Sequence, residues 1–420
     1  MSAPVRLPAA LPRSAPAAPI EGGRAALIGY RPLRGTASAR GAFRLAGFSL
    51  VEMMIAMVIG VVLMLGITQV FMASRAASRL SEGVSRAQEN GRFAVDFLER
   101  DIRMAGHMGC VNDQAHFVQG RGDPVINYAV TSGSGDPLDF TVSIQGYEAA
   151  GTGGSGTLAV GGGSVPAGLP SGISGLSPAP SKGSDVLVLR FLAAEGVPVS
   201  TITPSGSNSV IGVTDSARLA RLSEGGVGTP SLFGIADCNQ ADIFKGSAGA
   251  SAVTASGVNL RPYSPLAKVY RAESLVYYVG AKANGEPGLR RARANSAGQF
   301  TINEELVDGV ENMQLLYGLD STSDISPSTA PVGSVTVQQP ASGVSTATNA
   351  SGAAQWRRVG MVQVGLVVRS PANAAVGKPT QDAGVLSVLG VSYDQSAATD
   401  NRFRTTYEVT IALRNRLFGN

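Results

Sequence analysis

An unbroken run of apolar residues and glycine, Met53 to Ile67, constrains this chain more than any other feature. Allowing Thr68 and Gln69, the run reaches Met72, and with Phe48 to Val51 in front it amounts to about 25 residues. A helix of that length is long enough to cross a hydrocarbon core of about 30 Å. Arg40 and Arg44 lie just before it, which predicts a cytoplasmic amino terminus with the bulk of the chain outside. A cleaved secretory signal would have a shorter apolar core and then a small-residue cleavage site. Here Arg75 and Arg79 follow instead. One charge breaks the pattern. A carboxylate at the centre of such a span costs about 2.5–3.5 kcal/mol, so Glu52 needs an exit to the interface or a partner.

Behind the span the apolar positions take up a helical period. Val84, Ala87, Gly91, Ala94, Leu98, Ile102 and Ala105 recur at spacings of 3, 4, 3, 4, 4 and 3, which predicts one buried stripe. Phe93, Phe97 and Met104 are expected to widen it. Nothing from Phe48 to Ala105 demands a break, although Gly60, Gly66, Gly83 and Gly91 weaken the run. A continuous helix over that stretch would measure roughly 87 Å.

Beyond about residue 108 the period becomes strand-like. "LDFTVSI" (138–144), "DVLVLRFL" (185–192), "SLVYYVG" (274–280), "RRVGMVQVGLVVRS" (357–370) and "TTYEVTIALRN" (405–415) are rich in β-branched and aromatic residues. Between them lie tracts of Gly, Ser, Ala, Thr and Pro at 145–184, at 201–258 in part, and at 321–353, which read as surface loops or mobile insertions. With 53 Gly, 6% aromatic and 15% charged residues, one core carrying long loops fits better than three compact domains. The predicted class is α+β: a long amino-terminal helix whose second half packs on an antiparallel sheet. The expected segments are a leader (1–47), a transmembrane half-helix (48–73), an amphipathic half-helix (74–107) and a β-rich head (108–420).

The formal charge of +4 is unevenly placed. Residues 1–47 hold seven Arg and one Glu, a net of +6, so the remainder carries 4 − 6 = −2. That balance, with few aromatics, gives no reason to expect a nucleic-acid surface. Cys110 and Cys238 are the two cysteines, and in a chain sent outside they suggest one disulfide, with two free thiols as the alternative.

"GFSLVEMMIAMVIG" resembles the class III signal of type IV pilins and pseudopilins: a basic leader ending in Gly47, Phe48 at the new amino terminus, and Glu52 five residues in. The resemblance implies cleavage between Gly47 and Phe48 by prepilin peptidase, N-methylation of Phe48, an inner-membrane stage, and later a place in a filament core. There the Glu52 carboxylate would pair with a neighbouring subunit's terminal ammonium and set register. The plain alternative is a glutamate snorkelling at the start of an ordinary signal anchor, which leaves the Gly47–Phe48 junction unexplained. A leader of 47 residues is long for the family. A misassigned start codon or a cytoplasmic extension would account for it.

"ESLVYYVG", "GLRRAR", "ELVDGVENMQLLYGLD" (305–320) and "YEVTIALRNR" (407–416) resemble, in order and spacing, the PilW minor-pilin pattern. That family implies a subunit of the complex at the pilus tip, which primes assembly and carries an adhesin with other minor pilins above the major pilin. Pilus biogenesis, twitching motility and adhesion would follow, with the protein moving from the inner membrane to the fimbrium. A minor pseudopilin of type II secretion and a membrane-anchored adhesin are the competing readings.

No cofactor, metal or catalytic constellation is expected. "GTGGSG" (151–156) fits a nucleotide-loop pattern as letters, yet no strand is expected before it and no helix after it. A zinc site would need His107, His116, Cys110 and Cys238 together, so a disulfide and a polar helix end are the better account. "RGD" (121–123) reads as a chance tripeptide. Tyr277, Tyr278 and Tyr317 are expected to pack in the sheet. An enzyme is the reading with least support.

Overall fold

The computed structural model describes residues 47–112, 124–326, 328–371, 374, 385–396, 398 and 400–416. Two compact units divide the chain after Met64. Helix α1 (Leu50–Met104) supplies the described part of the first unit, and within it every residue from Leu50 to Met64 is exposed. The leader, apart from Gly47, lies outside the described residues, as do His116 and the RGD tripeptide.

In the second unit α1 buries the stripe that its periodicity sets. Ala87, Ala94, Leu98, Ile102 and Ala105 are wholly inaccessible and share one core with residues of two sheets. Gly83 rather than Val84 begins the buried face, because Val84 is only half-buried. Phe97 and Met104 flank the core, but Phe93 does not: it stays 49% exposed. At 3.6 residues per turn Phe93 falls about 120° from Ala105 and about 100° from Ala94, off the seated face.

Strand Lys268–Ala281 organises the sheets. From Ala272 to Tyr277 it pairs antiparallel with Val186–Leu192, and along its other edge, from Leu275, with Pro287–Ala294. Phe300–Asp308 extends that side. A second, four-stranded sheet runs in the order Val335–Gln339, Val310–Asp320, Val359–Arg369, Arg404–Ala412, all antiparallel. Side chains of both sheets, among them Leu189, Tyr277, Leu315 and Val364, meet the α1 stripe in one core. The architecture is the α+β one expected of a long helix with an apolar face.

The insertion between Leu192 and Lys268 is not the loop its composition suggests. Val197–Ser205 pairs with Asn208–Val213, which pairs with Ala252–Ala255, which pairs with Ala241–Ala248. Ala241–Ala248 then pairs with Leu232–Ala236, and both Leu232–Ala236 and Val197–Ser205 pair with the start of Lys268–Ala281. Every pairing is antiparallel, so six strands close on themselves. Lys268 faces Pro198 on one edge and Ala236 on the other. The ring is a small barrel with a Greek-key path, and closure removes the unpaired edges that an open sheet would carry. Its interior is filled by Ile211, Phe233, Ile235, Phe244, Val253 and Val269, with Phe233 and Phe244 stacked at 6.2 Å. Leu219 and Leu222, on and just after the short helix Ser216–Arg221, add to the same core. Asp215 starts that helix by accepting from the Arg218 backbone N–H at 2.9 Å.

Three other expectations change. "LDFTVSI" forms turns, and a strand starts only at Ile144 (Ile144–Tyr147). Asp139 breaks that strand locally: its carboxylate accepts from the backbone of Gly133 and Thr141 and from the Thr141 hydroxyl, a turn geometry. Strand Ile144–Tyr147 does precede "GTGGSG", and strand Thr157–Ala159 follows it rather than a helix. The tract 321–353 holds strand Val335–Gln339 and two short helices, the second of which places Trp356 in the main core.

Candidate functional site

At the expected processing junction, Gly47, Phe48 and Ser49 precede α1, and the Met53 N–H to Ser49 carbonyl bond (3.0 Å) opens the helix. Phe48 is 84% exposed and a side chain on Gly47 would meet nothing within 4 Å. Glu52 stands in the first turn, where a carboxylate complements the positive end of the helix, and it makes no ion pair among the described residues. α1 is long and apolar enough to cross a membrane. Arg75 closes the apolar run with its guanidinium 4.7 Å from the centre of the Phe71 ring.

The seat of the helix on the sheets is built from small residues and one polar knot. Gly91 is there because nothing larger fits: a Cβ would lie 2.1 Å from the Tyr407 ring. At Gly83 it would lie 2.2 Å from the Ala374 methyl. The polar knot is Asp101, buried on the seated face and not singled out by the sequence pattern, which tracks apolar residues only. The Tyr277 hydroxyl donates to its Oδ2 at 2.6 Å and Arg291 Nη1 donates to the same atom at 3.0 Å. Arg291 in turn binds Glu304 Oε1 through Nε (2.9 Å) and Nη2 (2.6 Å). Burial first, then the Asp101 charge, pushes the Tyr277 hydroxyl well above its usual range and keeps it a donor. Tyr277 thus packs in the sheet and also holds the helix. Asn90 Nδ2 to the Asp308 carbonyl (2.9 Å) and Asn415 Nδ2 to the Arg103 carbonyl (3.0 Å) fix the helix at two further points.

Just past the helix end, Cys110 and Cys238 form a disulfide with Cα atoms 4.9 Å apart across 128 residues of sequence. It ties the segment after α1 to the barrel hairpin between Leu232–Ala236 and Ala241–Ala248. His107 is a polar residue of this segment: its Nδ1 lies 2.7 Å from the Leu192 carbonyl and its ring meets Tyr270 edge-on. Gly47, Phe48 and Glu52 are thus together at the start of α1.

Residues 44–68 match the model of the prokaryotic N-terminal methylation motif. An apolar helix that begins at that motif and is followed by a β-rich domain of antiparallel sheets is consistent with a pilin-like α+β protein. More particularly, residues 276–415 match the model of the family described as Type IV Pilus-assembly protein W, and with the methylation motif this makes the chain similar to PilW-family type IV pilins. That match starts within strand Lys268–Ala281 and takes in the whole four-stranded sheet, while the barrel precedes it. No curated protein and no solved structure matches the chain.

Proposed function

We propose that the protein is a minor pilin of the tip or initiation complex of type IV pili. The carrying observation is the pairing, on one chain, of a methylation motif at 44–68 with a PilW match at 276–415. Prepilin peptidase cleaves between Gly47 and Phe48 on the cytoplasmic side, and Phe48 is methylated. The apolar half of α1 then holds the subunit in the inner membrane, with the head in the periplasm. During assembly the Glu52 carboxylate pairs with the terminal ammonium of the next subunit, which compensates two desolvated charges and fixes register. Other minor pilins, the major pilin and a tip adhesin are the partners, and pilus biogenesis, twitching motility and adhesion are the outputs. The PilW match favours the pilus over a type II secretion pseudopilin, since the methylation motif alone serves both.

Intact-mass and amino-terminal peptide analysis from host membranes, with and without prepilin peptidase, tests processing. Methylated Phe48 at the terminus, dependent on the peptidase, is the expected result, and an uncleaved chain would make it an ordinary signal anchor. Deleting the gene should abolish surface pili and twitching. Loss of exoprotein secretion with pili intact would instead assign it to the secretion system. Assembly of Glu52→Leu at wild-type levels would remove the register role.

A further inference from the structure

Where the barrel joins the head sheet, three charged residues are packed together: Arg271, Glu273 and Arg293. Arg271 Nε lies 2.6 Å from Glu273 Oε1 and Arg293 Nε lies 2.7 Å from Glu273 Oε2. All three are withdrawn from solvent, with side chains 14%, 4% and 9% exposed. Two guanidinium groups share one carboxylate, so the cluster carries one positive charge without a counter-charge. No second carboxylate lies within 4.0 Å of either arginine among the described residues. Elsewhere in this head Arg291 is paired with Asp101 and Glu304 and Arg404 with Glu311 and Asp400, while the fully buried Arg190 is met by the Pro137, Val142 and Asp136 carbonyls.

The remaining protein contacts of the pair are dipoles. Arg271 Nη1 donates to the Leu222 and Glu224 carbonyls (2.6 and 2.7 Å), and Arg293 Nη1 to the Gly225 carbonyl (3.1 Å). The loop supplying them can fold onto the arginines because Gly225, Gly226 and Gly228 all take positive φ. Both arginines line a cavity of about 480 Å³, the size of a small-ligand site. Its wall adds the hydroxyls of Thr229, Ser231 and Ser296 and the Asn295 amide, and contains no acid. A buried net charge is costly unless paired, and a guanidinium fork suits a carboxylate.

We infer that this cavity binds an acidic sugar of the uronic-acid type, its carboxylate meeting Arg271 and Arg293 and its ring hydroxyls meeting the Ser, Thr and Asn rim. The hydroxyls of Thr229, Ser231 and Ser296 and the Asn295 amide suit the hydroxyls of a sugar, and Val227, Pro230, Leu232 and Ile302 beside them can cover the C–H face of its ring. The barrel then contributes a ligand site at its junction with the head sheet, on the strand within which the PilW match begins.

The test is calorimetric titration of the detergent-solubilised full chain with D-glucuronate, D-glucose and trialanine. Glucuronate should bind at least tenfold more tightly than glucose and weaken as NaCl rises. Arg293→Gln should weaken it at least tenfold. Ser296→Leu, which fills the rim without touching the ion cluster, should do the same while leaving the melting temperature unchanged, so a folding defect in the arginine variant does not decide the matter. Equal binding of glucose and glucuronate, no binding of glucuronate, or unchanged binding in Ser296→Leu would overturn the inference. Binding of trialanine in place of glucuronate would overturn the sugar and point to a peptide carboxylate.

Discussion

Tyr277 and Asp101 are 176 residues apart in sequence, yet the tyrosine hydroxyl donates to the aspartate at 2.6 Å in the core between helix and sheet. This bond joins the amphipathic half of α1 to the long strand that also starts the barrel. Replacing Tyr277 by Phe keeps the ring packing and leaves the carboxylate with Arg291 alone. A loss of about 1–2 kcal/mol in stability is expected. Asp101→Ala should cost more, because both Tyr277 and Arg291 then lose a partner. Urea unfolding of the solubilised chain checks both, and a neutral Asp101→Ala would show that the knot does not hold the helix.

Gly91 under the Tyr407 ring makes a sharper prediction. Gly91→Ala places a methyl inside the ring and should destabilise the head by about 1–3 kcal/mol despite the better helix propensity of alanine. Tyr407→Ala alone also destabilises, but the double variant should recover most of the Gly91→Ala penalty. A double-mutant cycle in thermal unfolding measures the coupling, and strictly additive effects would mean that the helix shifts rather than collides.

The disulfide closes a loop across 128 residues, so its removal should cost about 2–5 kcal/mol, on a chain-entropy account whose mechanism is model-dependent. Cys110→Ser with Cys238→Ser should lower the melting temperature, and reductant should do the same to the wild type but not to the double variant. Thiol labelling of the denatured, unreduced protein should find neither cysteine.

Acid sensitivity has a defined contributor in Glu286. Arg402 donates to it at 2.6 and 3.0 Å and Arg369 at 2.9 Å, and these bonds, Arg402 foremost, hold its carboxyl below the ordinary 4.5. A depressed folded-state value stabilises the fold above the unfolded pKa, and that contribution is lost as pH falls through the folded one. Stability should therefore drop below about pH 4.5, and Glu286→Gln should flatten that limb while lowering stability at pH 7. An unchanged acid limb in Glu286→Gln would assign the loss to other carboxylates.

The amino-acid sequence by itself determined the apolar span, the methylation motif at 44–68, and the stripe from Ala87 to Ala105 that seats the helix. These are local patterns: hydropathy and a 3.6-residue period are read from neighbours in the chain. Two strands of the four-stranded sheet were also legible, because 357–370 and 405–415 are rich in β-branched residues, while Val335–Gln339 lay in a tract read as loop. Tertiary structure alone decided three things. Six strands between Val197 and Val269 close into a barrel, although their outward Ser, Thr and Gly look like linker. Asp101 is buried because Tyr277 and Arg291 meet it there. Arg271 and Arg293 converge on Glu273 from two antiparallel strands. Each depends on which distant segments pair and in what register, and such long-range hydrogen bonding and charge pairing leave no period in the local sequence.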